Sequence, residues 1–286
     1  MEKEIKKLCD EYEGGTLDRR NFLKKLAVLI GSTAAANALL PLLAPSRARA
    51  GLVPADDPRL VTGHVNYPGE TGNVRAYIAR PQGEDKLPGV VIIHENKGLR
   101  PHIEDFTRRV AMAGFLAMAP DALTPLGGTP DDAKKATELI RKLDMKATLG
   151  NYNAAAKFLK THSISTGKVG VVGFCWGGQM ANQMAVHSPD LTAAVPYYGR
   201  QPAAKDVPKI KASLLLHYGG LDKRINKGIP AFEAALKKAS VDYRIYMYEG
   251  AKHAFNNDAR PDRYHREAAQ LAWKRTISFL VKKLKT

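Results

Sequence analysis

A cysteine lies where an apolar strand is predicted to turn sharply into a helix. Residues 173–178 read Gly-Phe-Cys-Trp-Gly-Gly; they follow the largely apolar segment 168–172 and precede a helical pattern that reaches residue 187. A strand, a Gly-x-nucleophile-x-Gly turn and a helix form a nucleophile elbow, which pushes the central side chain out of the sheet. The flanking glycines let neighbouring backbones come close. The pattern predicts that Cys175 is a nucleophile in acyl transfer through a thioester.

Two later segments supply the base and the acid that such a nucleophile needs. An apolar run precedes the turn that ends at Asp222, and a second strand-like run precedes the loop that carries His253. Catalytic loops of open α/β sheets lie beyond the carboxyl ends of the strands. The chain order of nucleophile, acid and base is also the one found with nucleophile elbows. We therefore predict a triad of Cys175, His253 as general base, and Asp222, which orients the imidazole.

Several segments, in the same order along the chain, resemble the dienelactone hydrolase family. They are 91–99 (Val-Ile-Ile-His-Glu-Asn-Lys-Gly-Leu), 119–121 (Ala-Pro-Asp), 173–178, 197–199 (Tyr-Tyr-Gly), 219–222 (Gly-Gly-Leu-Asp) and 250–255 (Gly-Ala-Lys-His-Ala-Phe). The resemblance extends from about residue 60 to the C-terminus. It implies an α/β-hydrolase fold and a hydrolase of carboxylic esters or lactones.

The resemblance also implies roles for residues that the triad pattern does not include. Glu95 matches the family glutamate that accepts the hydrogen bond of the resting thiol and takes its proton when substrate binds. The oxyanion hole is expected to consist of the backbone N–H groups of Asn96 and Trp176. One such donor contributes about 3–4 kcal/mol of transition-state stabilisation.

The chain departs from the family where two arginines bind the carboxylate of the substrate. The first position falls in residues 122–126, which read Ala-Leu-Thr-Pro-Leu, and the second is occupied by Asn257. Arg200, Arg224 and Arg260 are the cations that could act from another direction. We therefore expect a neutral or differently shaped ester or lactone rather than dienelactone itself.

Strand-like and helix-like segments alternate along the chain. Strands are predicted near residues 61–67, 73–79, 89–94, 115–119, 169–173, 193–198, 213–217 and 243–248. Helices are predicted near residues 103–113, 131–143, 145–161, 177–187, 230–239 and 263–284. The first two strands are expected to form a hairpin through residues 69–72, and the later strands are apolar runs separated by helices. This pattern predicts an α/β fold with a mainly parallel central sheet and helices on both faces.

The first fifty residues have the layout of a twin-arginine export signal. Arg19 and Arg20 precede Asn-Phe-Leu-Lys, a moderately apolar run covers 26–44, and 48–50 (Ala-Arg-Ala) is a cleavage site with small residues. We expect recognition by the twin-arginine export machinery and a mature, periplasmic or secreted chain that starts at Gly51. The alternative is a membrane anchor, but the alanine, asparagine and proline content of the run disfavours a stable span.

Charge and cysteine content exclude two other classes of function. Among 286 residues, 44 Lys and Arg outweigh 28 Asp and Glu, for a net charge of +16. The basic residues are scattered and accompany no nucleic-acid-binding motif, so no nucleic-acid partner is expected. Cleavage would remove Cys9 and leave Cys175 as a single thiol, which disfavours both an internal disulfide and a dithiol redox function.

No metal or cofactor is expected. Three histidines, His94, His102 and His217, could suggest a metal site, but they do not form a cluster with metal-ligand spacing.

These observations predict two segments, an export signal over residues 1–50 and a hydrolase domain over 51–286. The predicted function is the hydrolysis of small carboxylic esters or lactones by an exported enzyme. Two alternatives remain open: a thioesterase or peptidase on the same fold, and a non-catalytic envelope protein that binds a ligand on this scaffold.

Overall fold

The computed structural model describes residues 53–83 and 85–285, together with the helical residues Asn21, Lys24, Lys25 and Val28. Backbone contacts divide the chain into the units 1–51 and 52–286. The predicted signal lies almost entirely outside the described residues. Within the described part of the chain, no helix combines the length and the apolar character that a membrane crossing requires.

The second unit is built on one eight-stranded sheet. Its strands are β1 Leu60–Gly69, β2 Gly72–Pro81, β3 Leu87–Ile93, β4 Leu116–Pro120, β5 Ser165–Phe174, β6 Ala193–Tyr197, β7 Ser213–Gly219 and β8 Tyr243–Tyr248. Their order in the sheet is β1-β2-β4-β3-β5-β6-β7-β8. β2 pairs antiparallel with both β1 and β4, and all other pairs are parallel. The predicted mainly parallel sheet is confirmed.

Seven helices connect and cover the strands in the described residues. They are α1 Pro101–Met112, α2 Ala133–Lys142, α3 Met145–Thr161, α4 Trp176–His187, α5 Lys223–Asn226, α6 Ile229–Lys238 and α7 Arg266–Leu284. The short helix α5 was not predicted. Helix α7 begins three residues later than predicted because His265 caps it, with the His265 Nδ1 atom accepting a hydrogen bond from the Ala268 N–H at 3.3 Å.

The sheet separates two apolar cores, because successive side chains of a strand point to opposite faces. In β3, Val91 and Ile93 belong to one core, whereas Val90 and Ile92 belong to the other. Helices α2, α3, α4 and α6 contribute to the first core, and α1 and α7 contribute to the second. The central strands are therefore covered on both sides, which explains why they read as continuous apolar runs.

Candidate active site

Cys175 occupies a strained turn between β5 and α4. Its backbone has φ 55° and ψ −112°, a region that L-residues rarely adopt. The Cys175 N–H donates to the carbonyl of Tyr197, the last residue of β6, at 3.0 Å. Strained backbone of this kind costs about 1–3 kcal/mol and occurs mainly at functional sites. The side chain is half-buried and so remains accessible at the carboxyl end of the sheet.

Glycines in this turn allow α4 to pack directly on the neighbouring strand. A Cβ atom at Gly173 would lie 2.0 Å from the carbonyl oxygen of Gly177. A Cβ atom at Gly177 would lie 2.4 Å from the carbonyl oxygens of Ile93 and His94. Both contacts are with backbone, so a larger residue at Gly173 would push α4 away from β5, and one at Gly177 would push α4 away from the end of β3. The close approach brings the turn at Cys175 next to the loop that follows β3.

Asp222 and His253 meet beyond the ends of β7 and β8. His253 Nδ1 and Asp222 Oδ2 form a short hydrogen bond. Asp222 is 6% exposed, and its other oxygen, Oδ1, accepts from the Ile225 N–H at 3.4 Å as the N-cap of α5. With an ionised Asp222 the Nδ1 atom carries the proton, since a carboxylate can only accept. The cap and the hydrogen bond together fix the orientation of the imidazole.

Charge around His253 favours its protonated form. Burial alone would lower the pKa of His253, but Asp222 and Cys175 outweigh it and raise the pKa to about 9. Nε2 of His253 has no hydrogen-bond partner in the described part of the chain. The Cys175 thiol therefore lies near enough to favour the imidazolium, without the geometry of a fully formed hydrogen bond. The structure thus brings the three predicted triad residues together, with one imidazole nitrogen held and the other available.

Glu95 is buried beside Asn257 and His102. The Glu95 side chain follows β3 and the residue is 7% exposed. Asn257 Nδ2 donates to Glu95 Oε2 at 2.5 Å, and His102 Nε2 lies 3.6 Å from the same oxygen. Oε1 of Glu95 makes no hydrogen bond within residues 53–83 and 85–285. Asn257, at the position where the family resemblance implies an arginine, therefore contacts the Glu95 carboxylate as a neutral donor.

A narrow crevice, open to solvent and with room for about one water molecule, lies at this carboxylate. Its lining is mixed polar and aromatic: Glu95, His102, Ile103, Phe106, Arg109, Phe174, Tyr198, Asn256, Asn257 and Asp258. Of the three arginines considered as alternative cations, Arg260 interacts electrostatically with Glu95. Its pKa is raised chiefly by a hydrogen bond to Asp262, with a smaller contribution from the Glu95 charge.

His94 contacts both backbone segments that carry the predicted oxyanion donors, the loop after β3 with Asn96 and the start of α4 with Trp176. Its Nε2 accepts from the Ala122 N–H at 3.1 Å, and its Nδ1 lies 2.6 Å from the Glu95 carbonyl oxygen. Burial lowers the pKa of His94, which keeps the ring neutral with its proton on Nδ1. The ring stacks on Trp176, with centroids 5.6 Å apart. His94 therefore supports Trp176 directly and Asn96 through the backbone of the preceding residue.

A buried polar network beneath the nucleophile was not predicted. His217 is fully buried; its Nε2 lies 3.0 Å from Thr276 Oγ1 and its Nδ1 lies 2.9 Å from the Tyr248 hydroxyl. The Tyr197 hydroxyl lies 2.7 Å from the same Thr276 oxygen. Tyr197 also accepts from the Cys175 N–H. The network thus ties α7 to the strand ends that support the turn.

This network predicts acid sensitivity of the fold. Burial, with a contribution from Arg275, lowers the pKa of His217 to about 3, below the usual value of about 6.5. Between these values the unfolded chain binds a proton that the folded chain does not. We expect the free energy of unfolding to fall with decreasing pH by up to about 1.4 kcal/mol per pH unit. Urea unfolding at pH 7, 6, 5 and 4 measures this slope.

His217→Gln should reduce that slope, because glutamine can hydrogen-bond to both hydroxyls without titrating. The surface variant His187→Gln is the matched control and should retain the wild-type slope. Equal slopes for His217→Gln and the wild type would contradict the prediction.

In the described ranges 53–83 and 85–285, no three His, Cys, Asp or Glu side chains lie close enough together to hold a metal ion. What the site offers chemically is a thiol, an oriented imidazole and a buried carboxylate at the carboxyl edge of a mainly parallel sheet.

Comparison with known proteins identifies the family of this chain. The sequence profile of the dienelactone hydrolase family matches residues 74–284. A Yersinia pestis protein named "Putative carboxymethylenebutenolidase" is 34% identical over 232 residues, which cover 76% of this chain and 86% of that protein. "Protein usf" of Aquifex pyrophilus is 36% identical over 215 residues, which cover 72% of this chain and 92% of that protein.

A solved structure from Klebsiella pneumoniae, described as a "Putative Dienelactone Hydrolase", has the same fold. It superposes with a TM-score of 0.70 at 30% sequence identity and covers 77% of this chain and 97% of its own. The family profile and these relatives extend over most of the second unit. The chain therefore belongs to the dienelactone hydrolase family and has the α/β-hydrolase fold.

Proposed function

We propose that this protein hydrolyses carboxylic esters or lactones with Cys175 as nucleophile. One observation carries the proposal. A strained turn presents Cys175 beside an imidazole whose Nδ1 is bound to a buried carboxylate and whose Nε2 has no hydrogen-bond partner among the described residues. A nucleophile, a base and a group that orients the base are the requirements for covalent acyl transfer.

In the proposed reaction, the Cys175 thiolate attacks the carbonyl carbon and forms a C–S bond, while the carbonyl oxygen becomes an oxyanion. The backbone N–H groups of Asn96 and Trp176 stabilise that charge. Collapse of the intermediate breaks the C–O bond, and His253 gives its Nε2 proton to the departing alkoxide. Water then attacks the thioester and His253 takes its proton. The acid is released and the thiolate returns.

Glu95 is proposed to receive the proton of the resting thiol. Its Oε1 is buried and has no partner in the described part of the chain, so this oxygen has capacity to accept. Oε2 is already engaged by Asn257. With the thiol proton on Glu95, the imidazolium of His253 faces a thiolate, and its raised pKa favours that ion pair.

The proposed substrates are neutral esters and lactones. The relatives named for carboxymethylenebutenolide imply a carboxylate-bearing substrate for those proteins. In this chain the two expected arginine positions hold no arginine, and Asn257 contributes a neutral amide at one of them. The loss of two cations weakens binding of an anionic substrate more than binding of a neutral one.

We also propose export by the twin-arginine machinery, with residues 1–50 as the signal and 51–286 as a periplasmic or secreted domain. The motif at Arg19 and Arg20 and the small residues at 48–50 support this. Protein recovered from the periplasm should begin at Gly51, and an intact N-terminus there would contradict cleavage.

The function is tested with p-nitrophenyl acetate, simple lactones, dienelactone, an acyl thioester and a short peptide. We expect turnover of neutral esters or lactones, and a burst of p-nitrophenol equal to the enzyme concentration when deacylation is slow. Acid quenching should trap the acyl group on the peptide that contains Cys175, in a form that hydroxylamine releases.

If deacylation is fast, no acyl adduct accumulates on Cys175, and a second measurement tests the mechanism. Stoichiometric alkylation of Cys175 with iodoacetamide should then abolish turnover. Turnover that survives alkylation would overturn the cysteine mechanism. A preference for the thioester or the peptide would favour those hydrolase classes, and no turnover of any substrate would favour a ligand-binding protein.

A further inference from the structure

We propose that His102 is a positioning residue that controls the Glu95 carboxylate according to its own protonation state. The inference rests on the proposed function, because it concerns the group that receives the thiol proton. It is carried by three side chains from separate parts of the chain: Glu95 after β3, His102 in the first turn of α1, and Asn257 in the loop after His253.

The amide of Asn257 contacts both ionisable groups through one nitrogen. Nδ2 lies 2.5 Å from Glu95 Oε2 and 3.2 Å from His102 Nε2. The amide oxygen accepts from the Ala259 N–H at 3.0 Å, which determines which end of the amide faces the pair. An amide nitrogen carries two hydrogens, so it can donate to the carboxylate and to the imidazole at once.

This double contact requires a neutral His102. Only an unprotonated Nε2 can accept from the amide. In that state Asn257 bridges the two groups, and Glu95 Oε1 stays available for the thiol proton. The His102 side chain is 16% exposed, so protons from solvent can reach it.

Protonation of His102 reverses these interactions. Nε2 becomes a donor, and its contact with the Asn257 amide changes from attractive to repulsive. Glu95 Oε2, at 3.6 Å, becomes the available acceptor, and a charge-assisted hydrogen bond is stronger than a neutral one. The imidazolium would therefore hold the carboxylate in its ionised form and draw it away from the thiol. His102 thus opposes transfer of the thiol proton at low pH.

Other groups near this cluster do not reproduce that behaviour. Those facing it from the surrounding elements are His94 after β3, Arg109 on α1, Cys175 at the turn, Tyr198 at the end of β6, and Asp258 and Arg260 in the loop after His253. Burial keeps His94 neutral, and burial raises the pKa of Tyr198. The arginines keep their charge across the working pH range. None of these groups is a histidine in contact with Glu95 Oε2, as His102 is.

The test is the pH dependence of iodoacetamide alkylation of Cys175 in a Cys9→Ser background, where Cys175 is the single thiol. His102→Gln retains an acceptor for Asn257 but cannot be protonated. We expect near-wild-type rates at high pH. The wild-type alkylation rate should fall as the pH is lowered. Each rate is expressed as a fraction of the same protein's rate at high pH. At one pH unit below the midpoint of the wild-type fall, this fraction should be about tenfold larger for His102→Gln than for wild type. The kcat/KM profile should shift in the same direction.

Two further variants distinguish the proposed route from others. In a Glu95→Gln background, His102→Gln should leave the alkylation profile unchanged, because the carboxylate that His102 acts on is gone. The matched control is His64→Gln, since His64 forms another histidine–glutamate pair, 3.4 Å from Glu104, on the protein surface. This control should behave as wild type.

Superimposable profiles for His102→Gln and wild type would overturn the proposal. An alkylation rate that His102→Gln lowers equally at every pH would also overturn it, because that result indicates a structural role. So would a shift of the pH profile by His102→Gln that persists in the Glu95→Gln background. Alkylation needs no turnover, so these outcomes are independent of whether the protein hydrolyses esters. Turnover that survives alkylation of Cys175 would instead overturn the proposed function.

Discussion

Replacing Cys175 with alanine is expected to lower kcat for every ester that the wild-type protein hydrolyses by about 10⁴-fold or more. The variant has no atom that can form the acyl bond, while the imidazole and the oxyanion donors remain. The fold should persist, because alanine at φ 55° experiences the same backbone strain as cysteine and the glycines that allow the turn are untouched. Initial rates on the substrate panel, with circular dichroism of both proteins, measure the effect.

Two variants control for this result. Cys175→Ser retains a nucleophile of similar size, but a hydroxyl loses its proton far less readily than a thiol, so its kcat should fall below wild type while exceeding that of alanine. Cys9→Ser removes the other thiol of the chain and should leave turnover unchanged. If Cys175→Ala keeps more than a tenth of the wild-type kcat on any substrate, that reaction does not use this cysteine.

The strands could be predicted because their amino-acid composition reflects their burial. Central parallel strands are covered on both faces, so β3 and β7 appear as largely apolar runs bounded by turn residues. The short helix α5 escaped prediction because its four residues have no periodic apolar face. The helix begins at a cap formed by Asp222, which the sequence pattern predicts instead as the acid of the triad.

The predicted site residues share one property, which is that each follows a strand. Cys175 follows β5, Asp222 follows β7 and His253 follows β8, and the carboxyl ends of parallel strands lie at the same edge of the sheet. Local patterns therefore sufficed to suggest that they meet. Their catalytic roles, and those of the Asn96 and Trp176 backbone, remain predictions.

The surroundings of Glu95 depend on contacts that no local pattern encodes. Asn257 lies 162 residues further along the chain, and it reaches the carboxylate only because the loop after His253 returns across the start of α1. The sequence identified Asn257 as a missing arginine but gave no sign that it would bridge to His102. His217 did carry a signal, because a histidine within an apolar strand must find buried hydrogen-bond partners.

Asp222→Asn is expected to lower kcat by about 10³–10⁴-fold without unfolding the protein. An asparagine amide that turns its NH₂ toward the ring donates to Nδ1 and forces the imidazole proton onto Nε2. That tautomer cannot take a proton from the water that attacks the thioester. Asparagine is as good an N-cap as aspartate, so the start of α5 should be retained.

The same variant has a signature in pH that a general loss of structure would not produce. Asp222 helps raise the pKa of His253 to about 9. The pair of Asp222 and protonated His253 therefore contributes its full stabilisation below the usual histidine pKa of about 6.5. This contribution is lost as the pH rises through about 9. Asp222→Asn should therefore cost more free energy of unfolding at pH 6 than at pH 10. Imidazole NMR should also show a lowered His253 pKa.

Asp206→Asn is the matched control for this prediction, because Asp206 forms an exposed pair with Lys209 and lies on a surface 3₁₀ helix. It should change neither kcat nor the His253 titration. If Asp222→Asn stays within tenfold of the wild-type kcat, orientation of the imidazole is not what Asp222 contributes. A fall in kcat with an unchanged His253 pKa would separate the two effects and assign the loss to the tautomer alone.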